Sequence, residues 1–342
     1  MPSIRQIRGR LRSIQSTKQI MRAMQLVSAS KLKRAQGRLL QARSVLGFLD
    51  GLLERVLAST SGLDHPTPRL SAAQRPRDAT SAHATSRRRG LPKAGPGGRW
   101  DHPLCAARED LPSTLVVFTS DAGLCGSYNT NLIQLAESHL RRDAARKTEV
   151  IYIGKKGHRY FTKRGYPAAE SYLDLAGRPD PAKAEQIGKA LLERFTSKRT
   201  GSVQLLYSQF LSAMTYKPTI LQWLPIQLAT TTEPKAEGPR PKANPARPPA
   251  SGLRRAADEY IFEPTPKRIF EDLLPRWTLA KFQLVMLETF TSEHSARMIA
   301  MKNATDNAEE LLKSLTLLRN RIRQASITKE ISEIVGTAEA LK

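Results

Sequence analysis

Along the N-terminal segment, apolar residues recur at alternating intervals of three and four: Ile4, Ile7, Leu11, Ile14, Met21, Leu32, Ala35, Leu39, Ala42, Leu46, Leu49, Leu53 and Val56. This spacing is a heptad seam on one helix face, with Lys18, Gln25 and Ser28 interrupting it midway. No proline falls between Pro2 and Pro66. A helix over Ile4–Val56 would be roughly 80 Å long at 1.5 Å per residue, so it must project, and a projecting seam requires a partner helix. The same alternation returns near the other end, at Ala304, Ala308, Leu311, Leu315, Leu318, Ile322 and Ala325. It then slips and resumes at Ile327, Ile331, Ile334, Ala338 and Leu341, which reads as a stutter. Few charges follow Glu333, so this end is expected to be gripped by apolar surroundings. An antiparallel coiled coil between the two ends buries both seams most simply.

Between the ends the pattern changes. Leu115–Thr119 reads as a buried strand, Asn131–Arg142 as a helix, Val150–Ile153 as a second strand, and Lys156–Arg164 as a short helix closed by Gly165. Pro181–Lys198 reads as a helix, followed by strands at Val203–Tyr207 and Thr219–Leu224. Strands alternating with helices predict a mostly parallel sheet covered by helices. The fold class is therefore α/β: a long antiparallel coiled coil of N- and C-terminal helices plus a small Rossmann-like α/β domain. The expected division is 1–60 for the first helix, 61–112 for a Pro/Arg-rich insert or linker, 113–231 for the α/β domain, 232–257 for a second Pro-rich insert, and 258–342 for the C-terminal helix.

Composition narrows the function. The 342 residues carry a formal charge of +24, which favours an acidic partner: nucleic acid, an anionic membrane surface or an acidic protein. Much of the charge lies on the first helix, at Arg5, Arg8, Arg10, Arg12, Lys18, Arg22, Lys31, Lys33, Arg34, Arg38 and Arg43, and no acid precedes Asp50. Solvated helix faces usually mix signs, so this run reads as a partner surface. Against nucleic acid, no aromatic able to stack on a base occurs before Phe48, and charge and seam coincide instead of following one another. Cys105 and Cys125 alone make neither a disulfide framework nor a metal site. No apolar run is long enough to span a bilayer. The Arg-rich start has the composition of an organelle presequence, yet the apolar repeat begins at Ile4 and runs on, so the segment is read as mature structure.

Catalytic candidates are sparse. The loop Ser120-Asp121-Ala122-Gly123-Leu124-Cys125-Gly126-Ser127-Tyr128-Asn129 lies between a strand and a helix, where a phosphate could sit, but it lacks a Gly-Lys-Ser/Thr sequence. A tight turn with Asn129 as a helix cap is the expectation. No histidine is placed by sequence to serve Cys125 as a base. Glu293-His294 could suggest acid–base work, but the histidines are scattered, and a packing role is expected for His294 as for Met298 and Met301. No catalytic, cofactor-binding or metal residue is assigned. Arg323 and Gln324, just before the slip, could contact a surrounding partner. A DNA-binding coiled-coil protein and a small α/β enzyme are the rival readings; the first predicts salt-sensitive DNA binding, and the second requires a convergent acid, base or phosphate loop.

Several motifs resemble one family. Ile14-Gln15-Ser16-Thr17, Ala23-Met24, Ser28-Ala29-Ser30-Lys31-Leu32 and Ala35-Gln36 are similar to the first helix of ATP synthase gamma subunits. Gly123-Leu124-Cys125-Gly126 with Asn129, and Ile153-Gly154-Lys155-Lys156-Gly157 followed by Arg164-Gly165-Tyr166, resemble its central signatures. The C-terminal part resembles it most: Ser292-Glu293-His294, Arg297-Met298, Ala304-Thr305-Asp306-Asn307-Ala308, Asn320, Arg323-Gln324, Ile327-Thr328-Lys329-Glu330-Ile331 and Glu333-Ile334.

The resemblance implies a non-catalytic rotor shaft, without cofactor, turning inside a ring of alternating alpha and beta subunits and docking with epsilon on the membrane-embedded c-ring. It places the chain peripherally on the cytoplasmic face of the bacterial inner membrane. It implies partner contacts at Lys18, Arg22, Met24 and Lys31 on the first helix, at Arg323 and Gln324, and at Ile334 and Leu341 in an apolar sleeve. Nucleic acid is not among the implied partners. Lys18-Gln19-Ile20 stands where the family more often has Gln-Lys-Ile, which moves the charge about 100° around the helix at 3.6 residues per turn. Ala122 stands where a longer polar or basic side chain is usual, and the inserts lack the cysteine pair of the plastid form.

Overall fold

The computed structural model describes residues 4–61, 102–108, 110–142, 147–175, 177, 180–227, 263 and 265–340. The expected inserts at 61–112 and 232–257 fall largely, and Leu341 wholly, outside them. Ten elements follow in chain order: α1 (Ile4–Ser61), β1 (Ser113–Phe118), α2 (Tyr128–Arg142), β2 (Thr148–Ile153), α3 (Lys155–Thr162), β3 (Ala168–Tyr172), α4 (Pro181–Thr196), β4 (Ser202–Phe210), β5 (Tyr216–Leu224) and α5 (Pro266–Ala340).

The sheet order is β3-β2-β1-β4-β5. β3, β2, β1 and β4 pair in parallel, and β5 closes the edge antiparallel to β4. β1 is buried on both faces, which explains its unbroken apolar reading. Val116 and Phe118 face a core shared with β2, β4, α4, α5 and the lower end of α1, including Leu53, Val56, Phe195, Phe282 and Phe290. Leu115 and Val117 face the opposite layer, built from Leu132 and Leu140 of α2 and Phe161 of α3. β3 was not anticipated. Its sequence Ala-Ala-Glu-Ser-Tyr has no fully buried residue, because it is an edge strand half open to solvent. Gly165 ends the α3 turn with φ 83° and open space where a Cβ would stand. Gly165→Ala is therefore expected to cost about 1–2 kcal/mol through left-handed backbone strain alone, read as a urea midpoint shift at unchanged m-value.

α1 and α5 run antiparallel as one rod. Lys18 Nζ lies 3.0 Å from Glu309 Oε2, Arg43 Nη2 lies 2.6 Å from Glu288 Oε1, and Trp277 Nε1 donates to Asp50 Oδ1 at 2.5 Å. The α1 seam is as expected: Ile7, Leu32, Ala35, Leu39, Leu53 and Val56 are buried, and Leu11, Ile14, Met21, Ala42, Leu46 and Leu49 are half-buried between them. The interrupting Ser28 is buried in the same line, its hydroxyl satisfied by the carbonyl of Met24 at 2.8 Å.

The α5 seam differs from expectation by one residue in every other contact. Leu311 and Leu318 are 49% and 38% exposed, and Ala325 is exposed. The inward positions are Thr305, Leu312, Arg319 and Ser326, alternating with Met301, Ala308, Leu315 and Ile322. The phase is set lower down, where Leu284, Leu287 and Met298 pack against Leu32, Leu39 and Phe210. A straight helix carries that phase upward in steps of seven whatever side chains it meets. The slip near residue 325 is likewise no stutter within a coiled coil. With Lys18 opposite Glu309, the first described residue of α1 faces the neighbourhood of Arg323, and among the described residues α5 continues alone for roughly 25 Å at 1.5 Å per residue.

Candidate functional site

The described residues present two distinctive surfaces: the junction where the rod crosses the α/β domain, and the bare upper rod. The junction forms at the carboxyl ends of β1 and β2. The strand order reverses between β1 and β4, which is where open α/β sheets hold ligands. Here the protein fills that crevice itself. Arg297 of α5 donates through Nε to the carbonyl of Gly123 at 3.2 Å and through Nη2 to that of Ala122 at 3.5 Å. The same Nη2 lies 2.7 Å from Glu293 Oε1, one helical turn below. His294 Nε2 meets the carbonyl of Gly177 at 2.9 Å, and Tyr128 Oη donates to that of Thr289 at 3.2 Å.

The backbone amides at the start of α3 are also occupied. Lys155 N–H donates to Asp121 Oδ1, Lys156 N–H to the carbonyl of Ser120, and Gly157 N–H to Thr119 Oγ1. Gly154, with φ 104°, leaves no room for a side chain, since a Cβ there would stand 2.1 Å from the Thr119 oxygen. The glycine signature thus serves close packing of two strand ends. Asn129 is not the cap of α2, which begins at Tyr128; its Oδ1 accepts from Ser120 N–H at 3.0 Å and its Nδ2 donates to Cys125 Sγ at 3.1 Å. These contacts make the loop a structural turn.

Burial decides the charge states at the junction. Glu293 is 3% exposed, and desolvation raises its carboxyl above the ordinary range while the Arg297 charge pulls it back. His294 is buried and lowered to about 4, chiefly by desolvation and partly by the Arg297 charge, against the stabilising bond to Gly177. Its folded value lies below the usual one, so the unfolded chain binds the extra proton first. Stability contributed by neutral His294 is therefore present above about pH 6.5 and drains away as pH falls towards about 4. His294→Gln is expected to flatten that part of the stability–pH curve, measured by urea denaturation at stepped pH.

The expected contact residues are spread along the rod and form no single cluster. Lys18 turns inward to Glu309, which is what its displaced position in the motif permits; Arg22 is exposed beside it. Met24 is half-buried and lines a cavity of about 400 Å³ with Ile20, Val27, Lys31 and Arg297. Arg323 and Gln324 are exposed where α1 runs out. Above them Ile327, Ile331, Ile334 and Val335 present a bare apolar face, Ile334 being 68% exposed. Isolated exposed leucines need no explanation, but these four lie within nine residues on one side of a helix that no described element covers. Sequence reasoning missed Glu293 and Arg297 as a buried pair, because an acid and a base four apart read as a solvated helix pair.

The family model for ATP synthase matches residues 3–341. The ATP synthase gamma chain of Pelotomaculum thermopropionicum is 35% identical over 342 residues, covering all of both chains. That of Symbiobacterium thermophilum is 35% identical over 98% of this chain and 97% of its own. Among solved structures, a chain of the Euglena gracilis mitochondrial ATP synthase, OSCP/F1/c-ring in rotational state 3, aligns over 99% of this chain and 94% of its own with a TM-score of 0.57. A chain of the Euglena rotor in rotational state 1 aligns with a TM-score of 0.54 over 95% of this chain. These structural relatives are 18% and 17% identical, so they speak for the fold.

Proposed function

The chain belongs to the ATP synthase gamma chain family, and from that premise we propose that it is the central rotor stalk of an F-type ATP synthase. Its turning couples proton or sodium flow through the membrane ring to ATP synthesis or hydrolysis in the alpha/beta ring. Catalysis then resides on beta, and this chain contributes torque and timing without a catalytic residue of its own. An asymmetric shaft acts by favouring a different open or closed state in each beta subunit as it turns.

The observation that carries this reading is the upper rod. It is narrow, uncovered and basic on α1, and it ends in a single helix with a bare apolar face. Such a surface suits a sleeve of surrounding subunits. In this account Arg22 and Met24 meet an acidic loop of beta, Lys31 contacts the alpha/beta ring, Arg323 and Gln324 meet a second loop, and Ile334 and Leu341 turn in the apolar sleeve. Lys18 contributes mainly by holding the two helices in register, although such an exposed pair is worth only about 0–1 kcal/mol. The α/β domain and lower rod dock with epsilon on the c-ring, giving peripheral association with the cytoplasmic face of a bacterial inner membrane. The expected domain division belongs to the same reading. No helix among the described residues is long and apolar enough to cross a membrane.

Co-expression with alpha and beta subunits tests this. The expected result is a stable complex that hydrolyses ATP only when assembled. A chain that never enters the ring, or that binds DNA tightly in a salt-sensitive way, would refute the stalk reading in favour of the nucleic-acid one.

A further inference from the structure

A cavity of about 700 Å³ lies beside the rod, between α1 and the start of α4. One wall is α1, which presents Lys31, Arg34 and Arg38 around the small Ala35. These cations lie three and four positions apart, so they share a helix face. From Lys31 to Arg38 the row runs about 10 Å along the axis at 1.5 Å per residue. Lys183 of α4 faces them from the opposite wall, and His294 and Gly177 close one side.

Two carboxylates also line the space, and both are engaged. Asp174 Oδ1 lies 2.5 Å from Lys155 Nζ, and Asp180 Oδ1 accepts the Ala182 N–H at 3.1 Å as the cap of α4. His294 uses Nε2 on the Gly177 carbonyl, so it supplies a neutral wall. The described lining thus carries four cations and two carboxylates, a net positive charge.

We propose that this cavity binds a polyphosphate anion, a chain of two or more phosphoryl groups, held by Lys31, Arg34 and Arg38 along one side and Lys183 on the other. A row of cations this long can engage consecutive phosphoryl groups, whereas a single phosphate would reach only part of it. The two guanidinium groups favour the planar, paired contacts that phosphate oxygens accept. An anion there would bridge the shaft helix to the α/β domain. The volume accommodates a nucleotide as well as an inorganic polyphosphate, since small-molecule sites commonly span about 300–1,000 Å³.

The inference concerns the chain alone and does not depend on the rotor reading. Calorimetric titration of the purified full-length chain with sodium tripolyphosphate, at physiological ionic strength, is expected to show one-to-one binding. The Arg34→Gln/Lys183→Gln double variant should weaken it about tenfold or more, as loss of two charge-assisted contacts implies. Arg12→Gln, which removes charge from α1 outside the cavity, should leave it within about twofold, as a screened distant charge predicts. All three positions are exposed, and unchanged circular dichroism verifies that each variant folds. Binding of ATP but not AMP would name nucleotide tails as a source; binding of tripolyphosphate without ATP would name inorganic chains. Absence of binding, stoichiometry well above one, or equal weakening by Arg12→Gln would overturn the proposal.

Discussion

Leu39→Ala is expected to lower the unfolding free energy by about 2–5 kcal/mol, whereas Leu40→Ala next to it should change it by less than about 0.5 kcal/mol. Leu39 is 1% exposed and Leu40 is 65% exposed. Leu39 packs with Leu32, Phe210, Leu284 and Leu287, where both helices of the rod meet the end of β4. Truncation there leaves a void bounded by three elements that cannot easily collapse, so the transfer loss and the cavity add. Denaturant unfolding of both variants at matched m-values separates seam from surface. Equal effects would place the seam elsewhere. The same contrast applies higher up, where Leu315 lies in the seam and Leu318 faces outward, so an aspartate at 315 should disturb the rod more than one at 318.

Arg297→Ala is expected to be as damaging, by about 3–5 kcal/mol, because it strands a buried carboxylate. Glu293 is closed off from water, and its described ion pair is with Arg297. The carbonyls of Ala122 and Gly123 lose their donor in the same step. With its counter-charge gone, Glu293 takes up a proton more readily, so the loss should be greater at pH 8 than at pH 5. Glu293→Gln in the same chain should recover part of the stability, since a neutral amide has no charge to bury. A penalty that ignores pH and is not relieved by Glu293→Gln would show that Arg297 acts through packing alone.

These two sites also mark what the sequence could and could not disclose. The α1 seam was legible because one period holds from Ile7 to Val56, and one helix packs along its whole length. α5 carries two competing stripes. Leu311, Leu318 and Ala325 look more apolar than Thr305, Arg319 and Ser326, so a count of hydrophobic residues selects the wrong phase. The tertiary anchor at Leu284 and Leu287 decides otherwise. The stripe thus misassigned to the seam lies on the outer side of the rod.

The central sheet was readable from its buried strands, while β3 was not, being a short polar edge. The antiparallel placement of β5 depends on a hairpin between Phe210 and Tyr216 that spacing does not distinguish from a crossover. The junction was the least legible part. Glu293 and Arg297 look like a surface pair until the loop at Ala122 and Gly123, remote in sequence, is laid over them. Burial of a charged pair is a property of what covers it, and the single helical turn that carries this pair contains no record of that cover.

Rotation is the direct test of the central claim. A bead attached to Lys163→Cys, exposed on the α/β domain, in a Cys105→Ser background, would report the motion of this chain within a surface-fixed alpha/beta ring. On addition of ATP the account predicts continuous turning in one direction, at a rate that follows hydrolysis. Hydrolysis proceeding at its full rate while the bead stays still would contradict it.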